Sequence, residues 1–455
     1  MNTTPPLEFR RERRASSLDI SSCQSSSTDP QNRILRQLNR YFFSTVAEGY
    51  GGGCAMMLSS SELEDSLQFT LGSCSMTASR SQLSSIKKRD CLVAERFAFG
   101  FDVDGVLSKG KEAIPEAIEA LKVLNGHNEY GIHIPYVVVT NGGGKTEEQK
   151  CAELSELLKT EISPSQFVCS HTPMKQLSHK HQTVLVVGLD PEKCRNVALS
   201  YGFQDVLTTH DFIKSDPSIT PFKSLTKEEY VTAMDRSLEN IAIEAILVLS
   251  SSRDWGADQQ IILDLCMSQG GRYGTRSKTF NEGPAVYFAH QDVVWSTNNE
   301  FPRIGLGSFK RSLEEIFFSL TSQRLNITVF GKPEKVIFQF AERTLRDYRA
   351  ERYGLLRAPE TIYFVGDSPN SDVRGANAYH DSDVRESAWK SVLVETGIHE
   401  PGTVPEFQPF RTVRNVLEAV NMAIAIEQEK LKAGWPKRIL SNLKRLSWVS
   451  EKGVA

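Results

Sequence analysis

The chain has 455 residues, with 53 basic against 56 acidic side chains and a formal net charge of -3. That length accommodates two cores at roughly 100 to 200 residues per domain, and the near balance of charge excludes a broad nucleic-acid surface held by counterion release. The eight cysteines lack the close spacing that holds zinc or a redox disulfide, and no apolar run reaches the ~20 residues that span a bilayer. Ordinary thiols in a reducing compartment and no integral membrane segment are therefore expected.

Residues 1–95 are serine-rich and poor in aliphatic side chains, the composition of a disordered or targeting extension. Within it, "RILRQLNRYFFSTVAEGY" at 33–50 can place Ile34, Leu38, Tyr41 and Phe42 on one helical face beside Arg33, Arg36 and Arg40. That is the chemistry of a mitochondrial transit peptide. A short helix packing on the domain, or no order at all, fits equally, and Glu8, Glu12, Asp19 and Asp29 upstream count against targeting. Arg13, Arg14 and Ser16 form a basophilic phosphorylation pattern of a kind common by chance.

From Phe97 the rhythm becomes strand, helix, strand: "FAFGFDVDGV", a helix opened by Pro115 with Ile118, Leu121 and Val123 or Leu124 inward, then "IPYVVVT". This predicts a parallel crossover and an α/β fold. A long middle section follows, with strands "TVLVVGLD", "AILVLSS" and "AVYFAH" and a helix over 258–266. It reads as an inserted α/β domain over residues 145–326. The first rhythm then returns over 327–427 with "ITVFG", a helix from Pro333, "TIYFVG", "SVLVETG" and a last helix over 413–427. Residues 428–455 form a basic tail whose "RILSNLKRLSWVS" alternates Arg438, Lys444 and Arg445 with apolar residues. The pattern suits an anionic membrane surface, although packing or solvation is the expected state.

In an open parallel sheet, ligands bind outside the carboxyl ends of the strands. Beyond the four strands of the first rhythm lie Asp102 and Asp104, then Thr140 and Asn141, then Lys332, then Asp367 and Asp372. "TNGGGKT" at 140–146 is not an ATPase phosphate loop, because the first glycine such a loop requires is replaced by Val139. "DVDG" lacks the third oxygen ligand and closing glutamate of a calcium loop. Jointly, the rim residues suit phosphoryl transfer to a carboxylate. Asp102 and Asp104, two apart on extended chain, point to the same side. One can attack phosphorus while the other serves as acid and then base. A magnesium ion suits Asp102, Asp367 and the Asp104 carbonyl. Lys332 offsets phosphoryl charge, and Thr140, Asn141 and Gly142 orient the group.

The stretches "DVDGVLSKGKEAIPEAIEAL", "VVVTNGGG", "VFGKP", "VGDSPNSDVRGAN" and "SVLVETG" resemble the ordered motifs of the haloacid dehalogenase-like (HAD) hydrolase superfamily, class IIA. "TNGGG" and "DVVWSTNNEFPRIGLGSF" resemble its cat-eye-syndrome critical-region protein 5-like branch. The resemblance spans 97–402. It implies a Rossmann-like doubly wound parallel sheet (core 96–144 and 327–427) with a C2-type α/β cap. It further implies Asp102 as nucleophile, Asp104 as acid/base, Thr140 on phosphate, Lys332 as the catalytic lysine, Asp367 as magnesium ligand and Asp372 as its support. Ser368 stands where many relatives have asparagine. The branch is associated with mitochondria.

The reading is thus a magnesium-dependent hydrolase of a small phosphorylated metabolite, mitochondrial or else cytoplasmic, with no nucleic-acid partner and a homodimer left open. A catalytically silent protein that keeps the fold is the alternative. In the cap, Arg253, Asp254 and Trp255, with Trp295, Asn298 and Asn299, could face the active site. Equally, both tryptophans suit the cap core.

Overall fold

The computed structural model describes residues 96–434, apart from 129, 130, 296 and 298. The segments 33–50 and 428–455, the latter beyond residue 434, and the pattern at Arg13 therefore lie outside the described residues. In chain order the first elements are β1 (Phe97–Phe101), a small hairpin β2 (Ser108–Lys109) and β3 (Glu112–Ala113), helix α1 (Pro115–Leu124), β4 (Tyr136–Thr140), α2 (Glu147–Leu158) and β5 (Phe167–Cys169). The middle section contributes β6 (Thr183–Val187), α3 (Pro191–Ser200), β7 (Asp205–Thr208), β8 (Ala245–Val248), α4 (Trp255–Cys266), β9 (Ala285–Phe288), β10 (Val294–Trp295), β11 (Arg303–Ile304), α5 (Leu306–Thr321) and β12 (Ile327–Val329). The last part holds α6 (Lys335–Tyr353), β13 (Thr361–Gly366), β14 (Ala388–Val394), β15 (Arg411–Val413) and α7 (Val416–Gly434).

Two parallel sheets result. The first runs β15-β14-β13-β1-β4-β5. Its central strands are buried along their whole length, as expected when helices cover both faces. The period of two divides β1 between two apolar layers: Phe97, Phe99 and Phe101 pack with α1 and α7, whereas Ala98 packs with Ile337 and Phe338 of α6. Pro115 opens α1, which buries Ala117, Ala120, Leu121 and Leu124.

The second sheet runs β12-β9-β8-β6-β7 and has its own core, from Met174 to Phe317. Its composition departs from the expected boundaries in two places. Strand β5, expected inside the insertion, extends the first sheet: Val138 aligns with Phe167, and Phe167 and Cys169 join that sheet's core. Strand β12, expected to return to the first sheet, pairs with β9 instead. A three-residue, partly exposed edge strand carries too little pattern to name its partner.

Candidate active site

Strand β1 delivers Asp102 to its carboxyl end, where its backbone N–H donates to Val365 O at 2.9 Å. The next strand, β13, delivers Asp367 and, one turn on, Asp372. The three carboxylates are buried, and one oxygen from each lies within 4.8 Å of the others. Glycines make this crowding feasible. A Cβ on Gly366 would strike Asp372, and one on Gly397 would strike Asp367. Asp367 accepts from Ile398 N–H at 2.8 Å, and Asp372 from Ser368 N–H at 3.0 Å.

Three acids against one lysine make an electrostatically unbalanced group. Burial pushes Asp102 up to about 8; Lys332 opposes the shift and Asp372 reinforces it. Burial, then repulsion from Asp102 and Asp372, drives Asp367 well above the ordinary carboxylate range. Such a set suits a hard divalent cation, which takes oxygen ligands and neutralises the surplus. The acids grouped around this position are Asp102, Asp367 and Asp372. The carboxylate of Asp104 is not one of them, so only its carbonyl remains for the expected ligand role.

Lys332 reaches the acids from the cap sheet's edge, three residues beyond β12, rather than from a strand of the first sheet. Its Nζ lies 2.6 Å from Asp102 Oδ1 and 2.8 Å from Asp372 Oδ1, and donates to Val139 O at 3.1 Å. Burial opposes its charge, but attraction from Asp102 and Asp372 wins and raises its pKa. The residue is positioned by a reciprocal clamp: Lys332 N–H donates to Asn141 Oδ1 at 2.9 Å, and Asn141 Nδ2 donates to Lys332 O at 3.0 Å.

Strand β4 ends at Thr140, whose hydroxyl accepts from Gly142 N–H at 2.9 Å. Asn141 also donates to Asp292 Oδ2 at 2.7 Å, and Asp292 lies 3.3 Å from His290 Nδ1. Burial opposes the Asp292 charge, yet His290 and Asn141 hold its pKa below the usual range. Asp104 is half-buried; burial raises its pKa, against the pull of Lys150, then Lys332. Sequence reasoning missed Lys150, His290 and Asp292, because one sits within a helix and two on a cap loop. Lys145 pairs with Glu153, on the outward side of the loop.

The cap residues expected to approach the site are distributed otherwise. Arg253 and Asp254 line a separate cap cavity of ≈ 410 Å³ together with Glu192, Lys223 and Asp258. The switch in crossover direction after β6 and β8 opens this crevice at the sheet's carboxyl edge. Trp255 packs edge-on against Phe309, 5.3 Å between ring centres, and belongs to the cap core. Trp295 and Asn299 are exposed on and beyond β10, and Asn298 lies outside the described residues.

Residues 99–204 match the family model described as haloacid dehalogenase-like hydrolase, and 329–419 match a second HAD-hydrolase-like model. A p-nitrophenyl phosphatase structure from Archaeoglobus fulgidus superposes with a TM-score of 0.46 at 16% identity, covering 72% of this chain and 99% of that one. A Schizosaccharomyces pombe cardiolipin synthase (CMP-forming)/mitochondrial hydrolase fusion protein is 35% identical over 329 residues, 72% of this chain, which spans 53% of the fusion's length. A Saccharomyces cerevisiae mitochondrial hydrolase is 33% identical over 354 residues, 73% of this chain and 96% of its own length. A match running nearly end to end in that yeast protein, together with two family models over 99–204 and 329–419, shows that this chain belongs to the haloacid dehalogenase-like hydrolases.

Proposed function

We propose that this hydrolase is a magnesium-dependent phosphatase that cleaves a small phosphate monoester through an aspartyl-phosphate on Asp102. The observation that carries the reading is the convergence of Asp102, Asp367 and Asp372 within 4.8 Å, beside Lys332 and the Thr140–Gly142 turn. Asp102, Asp367 and the Asp104 carbonyl would hold the ion, with Asp372 supporting them through Lys332. When bound, magnesium neutralises the surplus acid and draws charge from the phosphoryl oxygens.

In the first half-reaction the Asp102 carboxylate attacks phosphorus. The bond from phosphorus to the ester oxygen breaks, and protonated Asp104 gives its proton to that oxygen. The burial that raises the pKa of Asp104 favours this donor form. In the second, water attacks the phosphorus of the aspartyl-phosphate, Asp104 takes the water's proton, and Asp102 is released with inorganic phosphate. Thr140 and the amides after it orient the phosphoryl group, while Lys332 stabilises the charge that develops on it.

A panel of phosphate esters assayed with magnesium tests the reading. Asp102→Asn should lower turnover by ~10³-fold or more, and excess chelator should abolish it until magnesium is restored. Wild-type turnover in the variant would overturn the mechanism. Full activity in excess chelator would overturn the metal assignment.

A mitochondrial location is proposed from the names of the two yeast relatives and from the basic amphipathic stretch at 33–50. A fluorescent fusion of residues 1–95 should enter mitochondria, and changing Arg33, Arg36 and Arg40 to glutamate should leave it in the cytosol. A wholly cytosolic wild-type fusion would refute the location.

A further inference from the structure

An ammonium offers three N–H groups, and around Lys332 Nζ three oxygens already lie within reach: Asp102 Oδ1 at 2.6 Å, Asp372 Oδ1 at 2.8 Å and Val139 O at 3.1 Å. A phosphoryl dianion arriving beside Thr140 therefore meets a lysine whose charge is already shared with two carboxylates. The lysine of the glycine loop, Lys145, is engaged too, by Glu153. Lys150, half-buried on α2, forms no ion pair among the described residues. Its Nζ lies 3.8 Å from the point that a Cβ on Gly142 would occupy. Thr140 Oγ1 lies 3.2 Å from the same point and Asp104 Oδ2 3.9 Å. A cation, a hydroxyl and the candidate acid/base thus converge above a residue that has no side chain to fill the space.

We propose that Lys150 is a substrate-binding residue that takes a non-bridging phosphoryl oxygen, a second cationic contact beside the one from Lys332, whose charge is shared with Asp102 and Asp372. The proposal rests on the phosphatase reading. It assigns a role to a helix residue that no strand-end pattern marks. The ammonium stands on the Gly142 side of the site, by Thr140 Oγ1 and Asp104 Oδ2. Among the described residues it forms no ion pair, and its charge acts on Asp104 only at a distance, so a ligand can take it without breaking a salt bridge.

Lys150→Met keeps most of the length and removes the charge. A charge-assisted hydrogen bond lost on binding weakens affinity by about 10- to 100-fold. Calorimetric titration of the full chain with inorganic phosphate in magnesium should show that loss. The KM for p-nitrophenyl phosphate should rise in parallel while kcat changes little, and the melting temperature should hold. Lys150→Arg should recover most of the phosphate affinity. Unchanged phosphate affinity in Lys150→Met overturns the proposal. So does a fall in kcat with KM unchanged, which would place Lys150 on Asp104 rather than on substrate. Failure of the phosphatase reading registers elsewhere, as wild-type turnover in Asp102→Asn, while the phosphate titration still reports on Lys150.

Discussion

Replacing Gly397 with alanine should disable the site without touching any polar group in it. An alanine Cβ there would sit 2.5 Å from both Cβ and Cγ of Asp367, and still closer to one carboxylate oxygen, whereas ordinary contact begins at 3.4 Å. The Asp367 side chain must therefore retreat by at least about 0.9 Å, the difference of those two distances. It cannot swing freely, because Ile398 N–H holds one oxygen at 2.8 Å and Asp102 and Asp372 crowd the other side. A misplacement of that order at a reacting centre costs ~10²-fold. The assay is kcat/KM for p-nitrophenyl phosphate over a magnesium titration, because a displaced ligand should also raise the metal concentration needed for half-maximal rate. Gly256→Ala is the control: the nearest atom to its added Cβ is Asp254 Oδ1 at 3.9 Å, so activity should stay within about twofold. Wild-type activity and metal dependence in Gly397→Ala would refute the steric reasoning and the place given to Asp367.

Asp104→Asn should cripple hydrolysis of alkyl phosphates far more than of p-nitrophenyl phosphate, whose leaving group needs little protonation; equal losses on both would count against the acid role. Arg195, fully buried in the cap, pairs with Asp211 at 2.9 and 3.0 Å. Arg195→Met strands that carboxylate and should cost about 3 kcal/mol or more in urea unfolding. His171 is buried against Tyr201, and burial lowers its pKa to about 4. The unfolded chain protonates it first, so its neutral state contributes fully above pH 6.5 and stability falls from there toward pH 4, by about 3 kcal/mol at most. His171→Gln should flatten this part of the stability profile, and an unchanged slope in the variant would refute the assignment.

What was legible in the sequence was the placement of polar residues at strand ends. "FAFGFDVDG", "YVVVTN" and "YFVGDS" each couple a buried apolar run to the polar residues just past it, and Asp102, Thr140 and Asp367 stand where that coupling puts them. Sheet membership was not legible for short strands. Phe167–Cys169 and Ile327–Val329 each have three residues, and three residues specify neither register nor neighbour. Lys332 reached its expected partners although its strand belongs to the other sheet, because the Asn141 clamp fixes it independently of strand order. Lys150, Asp292 and the Arg253 cavity depend on how loops and a helix face converge in space, which no local pattern encodes.

The attachment of Lys332 to the cap sheet bears on how ligands enter and on how this enzyme can be re-engineered. Hydrogen bonds to β9 and its extension continue through Phe330 N–H at 3.1 Å and Gly331 N–H at 2.6 Å, one residue short of the lysine. A cap that swung away as a rigid lid would pull on this seam, because Asn141 and Val139 O hold the lysine to the first sheet while Gly331 holds its neighbour to the second. For the same reason a minimal, capless variant cannot be made by splicing across the second sheet. Any graft of a foreign cap must keep a lysine three residues past its last strand, within reach of Asn141, or the hybrid would assemble with its acids unopposed.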